Sequence, residues 1–109
     1  MAAQRLDAVL GALADPVSRR AVEVLGAGPK RAGELADLLD LTAPAMSRKL
    51  KTLKKAGIVE EAHPEFDARV RIYALKAGAM DDLKIWLDRA ERGWAEQLTA
   101  LRDHLAKDA

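Results

Sequence analysis

The feature that most constrains this chain is a long apolar stripe near its C-terminus. Between residues 79 and 106, apolar side chains recur at steps of three or four, the spacing that aligns them on one face of an α-helix. The members are Leu83, Leu87, Ala90, Trp94, Leu98, Leu101 and Leu105, and Trp86 widens the stripe. The preceding residues form too small a core to cover such a face, so we expect a partner helix from a second copy.

Four shorter helices are predicted before this stripe. Leucine and valine repeat at helical spacing near the N-terminus, and Asp15 followed by Pro16 is a helix start signal. Thr42 is a favourable N-cap, and Gly57 ends the helix that Thr42 begins. The predicted helical segments are 4–13, 16–25, 31–39 and 42–56.

The residues after Gly57 change from helical to strand-like periodicity. Ile58 begins an extended run to about His63, and 70–73 alternates between apolar and polar side chains. Pro64, Glu65, Phe66 and Asp67 supply turn chemistry between the two runs. The sequence therefore predicts a mainly α fold with a small β-hairpin between the fourth and fifth helices, with residues 1–109 as a single domain.

Composition excludes several classes of protein and site. The chain has no cysteine, so it can form neither a disulfide nor a thiolate metal site, and this fits a reducing cytoplasm. Charges at Arg5 and Asp7 interrupt the N-terminal segment, so we expect neither a signal peptide nor a membrane span. We expect a cytoplasmic protein that does not engage a membrane.

The positive charge is concentrated in the middle of the chain. The formal net charge is +1, but residues 42–76 carry eight basic and four acidic groups, whereas both flanks are slightly negative. Five of the eight fall in the segment TAPAMSRKLKTLKKAG, residues 42–57, which contains no carboxylate. Such segregation indicates an anionic partner.

A helical wheel divides this basic segment into two faces. Met46, Leu50 and Leu53 share a narrow apolar face, and Arg48, Lys51 and Lys55 lie opposite, with Pro44 at the N-terminal end. A solvated surface helix is the simpler interpretation of a charge run. The lack of acidic partners at i±4, and the small side chains of the first turn, favour close approach to a negatively charged surface.

The order of short helix, tight turn, basic helix and hairpin is that of a winged helix-turn-helix, whose second helix enters the DNA major groove. Arg48 is suited to a bidentate contact with guanine, whereas the lysines are suited to phosphates. The predicted contacts to double-stranded DNA from this helix are Thr42, Ala43, Pro44, Ser47, Arg48, Lys51, Lys54 and Lys55.

The hairpin carries two further candidate DNA contacts. Arg69, Arg71 and Tyr73 share one face of the second strand, and Val70 and Ile72 share the other. One interpretation is an edge strand with solvated arginines. The other is a wing whose Arg69 and Arg71 reach a minor groove or its phosphates, and the adjacent basic helix favours the wing.

The chain resembles the ArsR-type winged-helix repressors of bacteria over about residues 6–76. The matching segments are ALADP (12–16) with Arg19 and Arg20, GELA (33–36), PAMSR (44–48), LKxLxxAGIV (50–59) and RIYxL (71–75), where x marks a position that is not part of the match. The resemblance implies a homodimeric DNA-binding repressor whose first and last helices form the dimer interface. The predicted interface residues are Leu6, Leu10, Leu83, Trp86, Leu87, Trp94, Leu98, Leu101 and Leu105. One departure is Lys49, where the family often has His.

Because many members of this family sense metals, the resemblance suggests a metal site, but the residues of this chain disfavour one. Arg31 and Gly33 stand where thiolate sensors of the family carry cysteine. His104 could match a histidine of the family's other site, but its partners there would be Glu91, Gly93 and Lys107. One imidazole and one carboxylate are too few for zinc. We expect no metal and no cofactor.

Three alternative functions remain. The basic face could dock an acidic protein, with the winged helix only as a scaffold. The protein could also be a regulator with a metal or small-molecule effector at the dimer interface, with Trp86 and Trp94 lining an apolar pocket. Catalysis is disfavoured because no pairing of His with carboxylate at a plausible spacing and no phosphate-binding Gly loop is present.

Overall fold

The computed structural model describes residues 2–63 and 69–108 as five helices and three short strands. The elements are α1 (Ala2–Leu13), α2 (Pro16–Leu25), β1 (Lys30–Arg31), α3 (Ala32–Leu39), α4 (Ala43–Lys55), β2 (Val59–Ala62), β3 (Ile72–Leu75) and α5 (Asp81–Asp108). The predicted turn at Pro64–Asp67 lies outside the described residues. The mainly α winged-helix architecture is confirmed, with helix boundaries within two residues of those predicted.

The sheet differs from the predicted hairpin in having a third strand. All pairings are antiparallel, and the order is β1-β3-β2, so β3 is the central strand. The second strand also begins at Ile72 rather than Val70. Neither Arg69 nor Arg71 therefore belongs to an edge strand. The two residues of β1 are too few to show strand periodicity, which is why the sequence pattern missed them.

Local hydrogen bonds explain where α2 and α4 begin. Asp15 Oδ1 accepts a hydrogen bond from the Val17 backbone N–H at 3.1 Å, and Pro16 occupies the first helical position. Thr42 Oγ1 accepts from the Ala45 backbone N–H at 3.2 Å. Both contacts satisfy donors that a helix N-terminus leaves free, so the two predicted caps are confirmed.

Left-handed residues end the two helices of the helix-turn-helix. Asp40, with φ of 55°, ends α3, and Leu41 N–H then donates to the Ala36 carbonyl at 2.9 Å. Gly57, with φ of 76°, follows α4, and Ile58 N–H donates to the Leu53 carbonyl at 3.0 Å. These bonds satisfy carbonyls at the helix ends. They make both turns tight and fix the directions of α4 and β2.

The inner face of α4 forms the centre of the core. Met46, Leu50 and Leu53 are at most 1% exposed, as the helical wheel predicted. They belong to one cluster with residues from the three preceding helices and the sheet, including Val9, Ala21, Leu25, Leu35, Ile58, Val59 and Tyr73. Burying these three side chains turns the opposite, basic face of α4 to solvent.

The last helix extends away from this core. It packs against α1 near its start, where Met80 and Leu83 contact the core cluster. Its 28 residues span about 42 Å at 1.5 Å per residue. The radius of gyration is 19.3 Å, against about 13 Å for a compact chain of this length. Most of α5 is therefore not covered by its own protomer.

Among the described residues, no helix combines the length and the apolarity that a membrane span requires.

Candidate nucleic-acid interface

The outward face of α4 is a row of exposed side chains. Every residue predicted to contact DNA from this helix is exposed: Thr42, Ala43, Pro44, Ser47, Arg48, Lys51, Lys54 and Lys55. The first turn presents only small side chains, which lets its backbone approach another surface closely. Within residues 2–63 and 69–108, the cationic groups of Arg48, Lys51 and Lys55 form no ion pair.

The other two cations of α4 are engaged within the protein. Lys49 forms an ion pair with Asp15, the residue that caps α2. Lys54 Nζ lies 2.6 Å from Glu61 Oε1 on β2. The sequence shows no acidic partner at i±4 for these lysines, but the fold brings carboxylates from other elements. The departure at Lys49 thus has a structural role, since this lysine ties α4 to α2.

These ion pairs perturb the titration of their carboxyl groups. The hydrogen bond from Lys49 holds the pKa of Asp15 below its usual value, with Val17 N–H and the Ser18 hydroxyl contributing further. The hydrogen bond from Lys54 likewise lowers the pKa of Glu61. Both carboxyl groups are therefore ionised at neutral pH.

The wing begins beside α4. At its base, His63 Nδ1–H donates to the Val70 carbonyl at 3.0 Å, which joins the two sides of the hairpin. Arg69 and Arg71 are exposed. Arg71 and Tyr73 both line a cavity of about 220 Å³ between α4 and the sheet. Two of the three residues predicted to share a face of this strand are thus found together.

Burial distinguishes Tyr73 from the two arginines. Tyr73 is buried, and burial raises the pKa of its phenol, with the nearby Glu61 carboxylate adding to the effect. It pairs with Lys30 across β1 and with Glu61 across β2. Tyr73 therefore supports the wing from below, whereas Arg69 and Arg71 remain accessible.

The strand β1 adds two basic residues that the sequence analysis did not single out as DNA contacts. Lys30 and Arg31 pair with Tyr73 and Ile72, so they flank the wing strand on the side away from β2. Arg31 is exposed, and its backbone N–H donates to Glu34 Oε1 at 3.2 Å at the start of α3. The sequence held no local signal for this placement, because it depends on a pairing between distant segments.

The residues predicted for dimerisation fall into two groups. Seven are exposed, namely Leu10, Trp86, Leu87, Trp94, Leu98, Leu101 and Leu105. Leu6 and Leu83 are half-buried, and Leu83 packs against its own core. Trp94 and Leu98, at 58% and 63% exposed, are apolar surface of the kind that a folded chain normally covers. Their role at a dimer interface remains a prediction.

A second cavity, of about 310 Å³, lies where α1, the end of α4 and the start of α5 meet. Its lining includes Val9, Gly57 and Lys76, together with the Arg5–Asp82 ion pair at 3.0 Å, but neither tryptophan. Across the part of the chain that the structure describes, no three His, Cys, Asp or Glu residues are grouped to hold a metal ion.

Sequence comparison identifies relatives of this chain. A family described as a helix-turn-helix domain matches residues 13–62, which run from the end of α1 to the end of β2. The HTH-type transcriptional regulator Rv2034 of Mycobacterium tuberculosis is 39% identical over 88 residues, covering 81% of this chain and 77% of that protein.

Solved structures show the same architecture. The crystal structure of an ArsR family transcriptional regulator superposes with a TM-score of 0.75 at 26% identity, over 84% of this chain and 92% of that one. An ArsR-like transcriptional regulator from Rhodococcus sp. RHA1 superposes with a TM-score of 0.77 over 92% of both chains; its 24% identity supports the fold alone.

The named relatives are transcriptional regulators and not enzymes, and the family match covers the helix-turn-helix of this chain. The chain belongs to the ArsR-type family of winged helix-turn-helix, DNA-binding transcriptional regulators.

Proposed function

We propose that this protein is a homodimeric repressor that binds a pseudo-palindromic operator with α4 of each copy and acts in the cytoplasm. The observation that carries the proposal is the row of Arg48, Lys51 and Lys55. These side chains are exposed on the second helix of the helix-turn-helix, and none has a carboxylate partner in the described residues. Unpaired cations in this position suit an anionic duplex.

The N-terminal half of α4 is proposed to read bases. Thr42, Ala43, Pro44 and Ser47 are small and exposed, so this end of the helix fits into a major groove without steric conflict. Arg48 projects from the next turn with a guanidinium that can donate two hydrogen bonds to guanine O6 and N7. This group is the main source of sequence discrimination in the proposal.

The remaining cations are proposed to contact phosphates. Lys51 and Lys55 lie further along α4, and Arg69 and Arg71 lie at the wing. Such contacts contribute affinity and fix the register on the duplex, but they carry little sequence information.

Dimerisation is proposed to occur through α1 and α5, with the domain spanning residues 1–109. The exposed stripe on α5, from Trp86 to Leu105, and the exposed Leu10 of α1 lie on two elements that pack together. A second copy covering this surface would place two α4 helices in a symmetric arrangement, which a pseudo-palindromic operator requires.

Two measurements test the proposal. Selection of bound sequences from random duplexes should yield an inverted repeat. On that duplex, the observed association constant should fall steeply with salt. Lys51→Ala should reduce the slope of log K against log salt by about 0.9 for each phosphate that the lysine neutralises in the wild type.

The control is Lys107→Ala, which removes an exposed cation from the last turn of α5 and should leave the slope unchanged. Failure of the wild-type protein to bind any duplex at low salt would contradict the proposal. That result would favour the alternative in which the basic face docks an acidic protein.

A further inference from the structure

A carboxylate lies within the surface that is proposed to face DNA. Glu61 is on β2 with its side chain toward α4, where Lys54 Nζ contacts Oε1 at 2.6 Å. The Glu61 side chain is only 21% exposed, and its second oxygen, Oε2, is buried without a hydrogen-bond partner among the described residues. The preceding residue, Glu60, is exposed.

The surroundings of Glu61 connect the two DNA-binding elements. The cavity between α4 and the sheet is lined by Ser47, Leu50, Lys51, Lys54, Glu61, Arg71 and Tyr73. Glu61 thus lies between the cations of the recognition helix and those of the wing. A negative charge here repels the phosphates of any duplex, so it opposes the affinity that the neighbouring cations provide.

We propose that Glu61 is a specificity-determining residue that retains Lys54 on the wing, away from the phosphate backbone, and thereby suppresses sequence-independent DNA binding. The inference rests on the proposed DNA-binding function of α4. It revises one expectation from the sequence, because it removes Lys54 from the phosphate contacts while Lys51 and Lys55 remain.

The local geometry explains why Lys54 stays with Glu61. Moving Lys54 to a phosphate would remove the 2.6 Å ion pair from a side chain that is only 21% exposed, and would leave the Tyr73 hydroxyl and Arg71 as the neighbours of Glu61. A carboxylate that is largely withdrawn from water favours keeping its nearest cation, whereas one exposed phosphate contact is weak and screened by salt. The hydrogen bond from Lys54 also lowers the pKa of Glu61, so this charge is present at neutral pH.

The same contact fixes the wing relative to the recognition helix. Lys54 lies in the last turn of α4, and Glu61 lies two residues after β2 begins. Because Glu61 also pairs with Tyr73 in the register of the sheet, the contact reaches the central strand.

The test is the salt dependence of binding to a mixed-sequence duplex. Glu61→Gln should free Lys54 and steepen the slope of log K against log salt by about 0.9 per bound protomer. A fourfold rise in salt would then weaken this variant by about 3.5-fold more than the wild type for each protomer. Glu60→Gln is the matched control, because it removes the same charge from the neighbouring exposed position and should leave the slope unchanged.

A double-mutant cycle assigns the effect to Lys54. Lys54→Ala alone should keep the wild-type slope, unlike Lys51→Ala, which should reduce it. In the Glu61→Gln background, Lys54→Ala should abolish the increase in slope that Glu61→Gln causes. Thermal unfolding of each variant verifies folding, and Lys54→Ala, at an exposed helical position, tests the inference even if Glu61→Gln does not fold.

Two outcomes would overturn the role of Glu61. One is an equal slope for Glu61→Gln and Glu60→Gln, and the other is a reduction by Lys54→Ala as large as that by Lys51→Ala. If the wild type binds DNA and Lys51→Ala has the expected smaller slope, the proposed DNA-binding function stands. Either of the two outcomes then refutes only the role of Glu61. Absence of salt-dependent binding by the wild type refutes the proposed function and the inference with it.

Discussion

Four lysines on one helix have different roles because their surroundings differ. Lys49 pairs with Asp15 of the α2 cap, and Lys54 pairs with Glu61 of β2, whereas Lys51 and Lys55 have no ion-pair partner in the residues that the structure describes. The helical wheel separates the buried from the exposed face. It does not separate an engaged cation from an available one, since the partner carboxylates come from elsewhere in the chain.

Arg48 is the residue on which sequence discrimination is predicted to depend. Replacing it with alanine should cost about 1–3 kcal/mol on the selected duplex, because alanine cannot donate the two hydrogen bonds to guanine. Binding to a mixed-sequence duplex should weaken much less. Competition binding between the selected and the mixed-sequence duplex measures the ratio of the two affinities for each variant.

Lys55→Ala is the matched control for Arg48→Ala, since it also removes one exposed cation from the same helix that has no ion-pair partner among the described residues. This variant should weaken both duplexes to the same extent. Equal losses on both duplexes for Arg48→Ala as well would contradict its base-reading role.

Two kinds of contact hold α4 in place. Its inner face, with Met46, Leu50 and Leu53, is buried in the core, and each such side chain contributes about 1.5–3 kcal/mol. Asp15 adds a polar anchor, because one carboxylate caps α2 through Oδ1, accepts from the Ser18 hydroxyl at 3.1 Å through Oδ2, and pairs with Lys49 of α4. The cap of one helix thus also orients another.

This double role gives a prediction for Asp15. Asp15→Ala should lower the free energy of unfolding by about 1–2 kcal/mol, because the variant has neither the N-cap nor the ion pair. Asp15→Asn should recover much of this stability, because its amide oxygen can still accept from Val17 N–H. Urea denaturation followed by circular dichroism measures both.

The pH dependence measures what the charge of Asp15 contributes to stability. The pKa of Asp15 is lowered in the folded state from its usual 3.8, chiefly by Lys49 and further by Val17 N–H and the Ser18 hydroxyl, so the stabilisation of the ionised form is present above pH 3.8 and is lost as the pH falls below it. The difference in the free energy of unfolding between the wild type and Asp15→Asn should therefore disappear in acid. A gap of constant size from about pH 7 to about pH 3 would show that the charge contributes nothing.

At the scale of the whole molecule, the protein is an elongated body of 71 × 29 × 22 Å with one uncovered helix. Most of α5 projects beyond the core, and its exposed leucines and tryptophans follow the stripe seen in the sequence. Large aromatic side chains concentrate binding energy at interfaces. This exposed stripe is the basis of the proposed dimer.

Trp94 tests this assembly. Trp94→Ala should weaken dimerisation by about 2 kcal/mol or more, which is roughly 30-fold, because the interface would have no aromatic anchor at this position. Ile85→Ala is the matched control, since Ile85 is 51% exposed and lies about two and a half turns earlier, on the opposite face of α5. Sedimentation velocity over a range of concentrations measures the dimerisation of both variants.

An unchanged dimer in Trp94→Ala would place the interface elsewhere. Equal weakening in Ile85→Ala would mean that the two copies do not meet along the predicted stripe.

Local chemistry in the sequence determined the elements of this protein. Asp15 and Thr42 cap helices by contacts within three residues, Gly57 ends one through its own backbone freedom, and helical periodicity marks the buried face of α4. These features need no distant partner, so they could be predicted. The basic face of α4 and the apolar stripe on α5 could be predicted for the same reason.

Only the tertiary structure decided which of the exposed charges are available. The pairing of β1 with β3, the burial of Tyr73 and the contacts of Lys49 and Lys54 all join segments that are separate in the sequence. Periodicity reports which face a residue occupies, but not what the fold brings opposite it. A basic row that looked uniform in the sequence is therefore divided between cations that hold the fold together and cations that remain available for DNA.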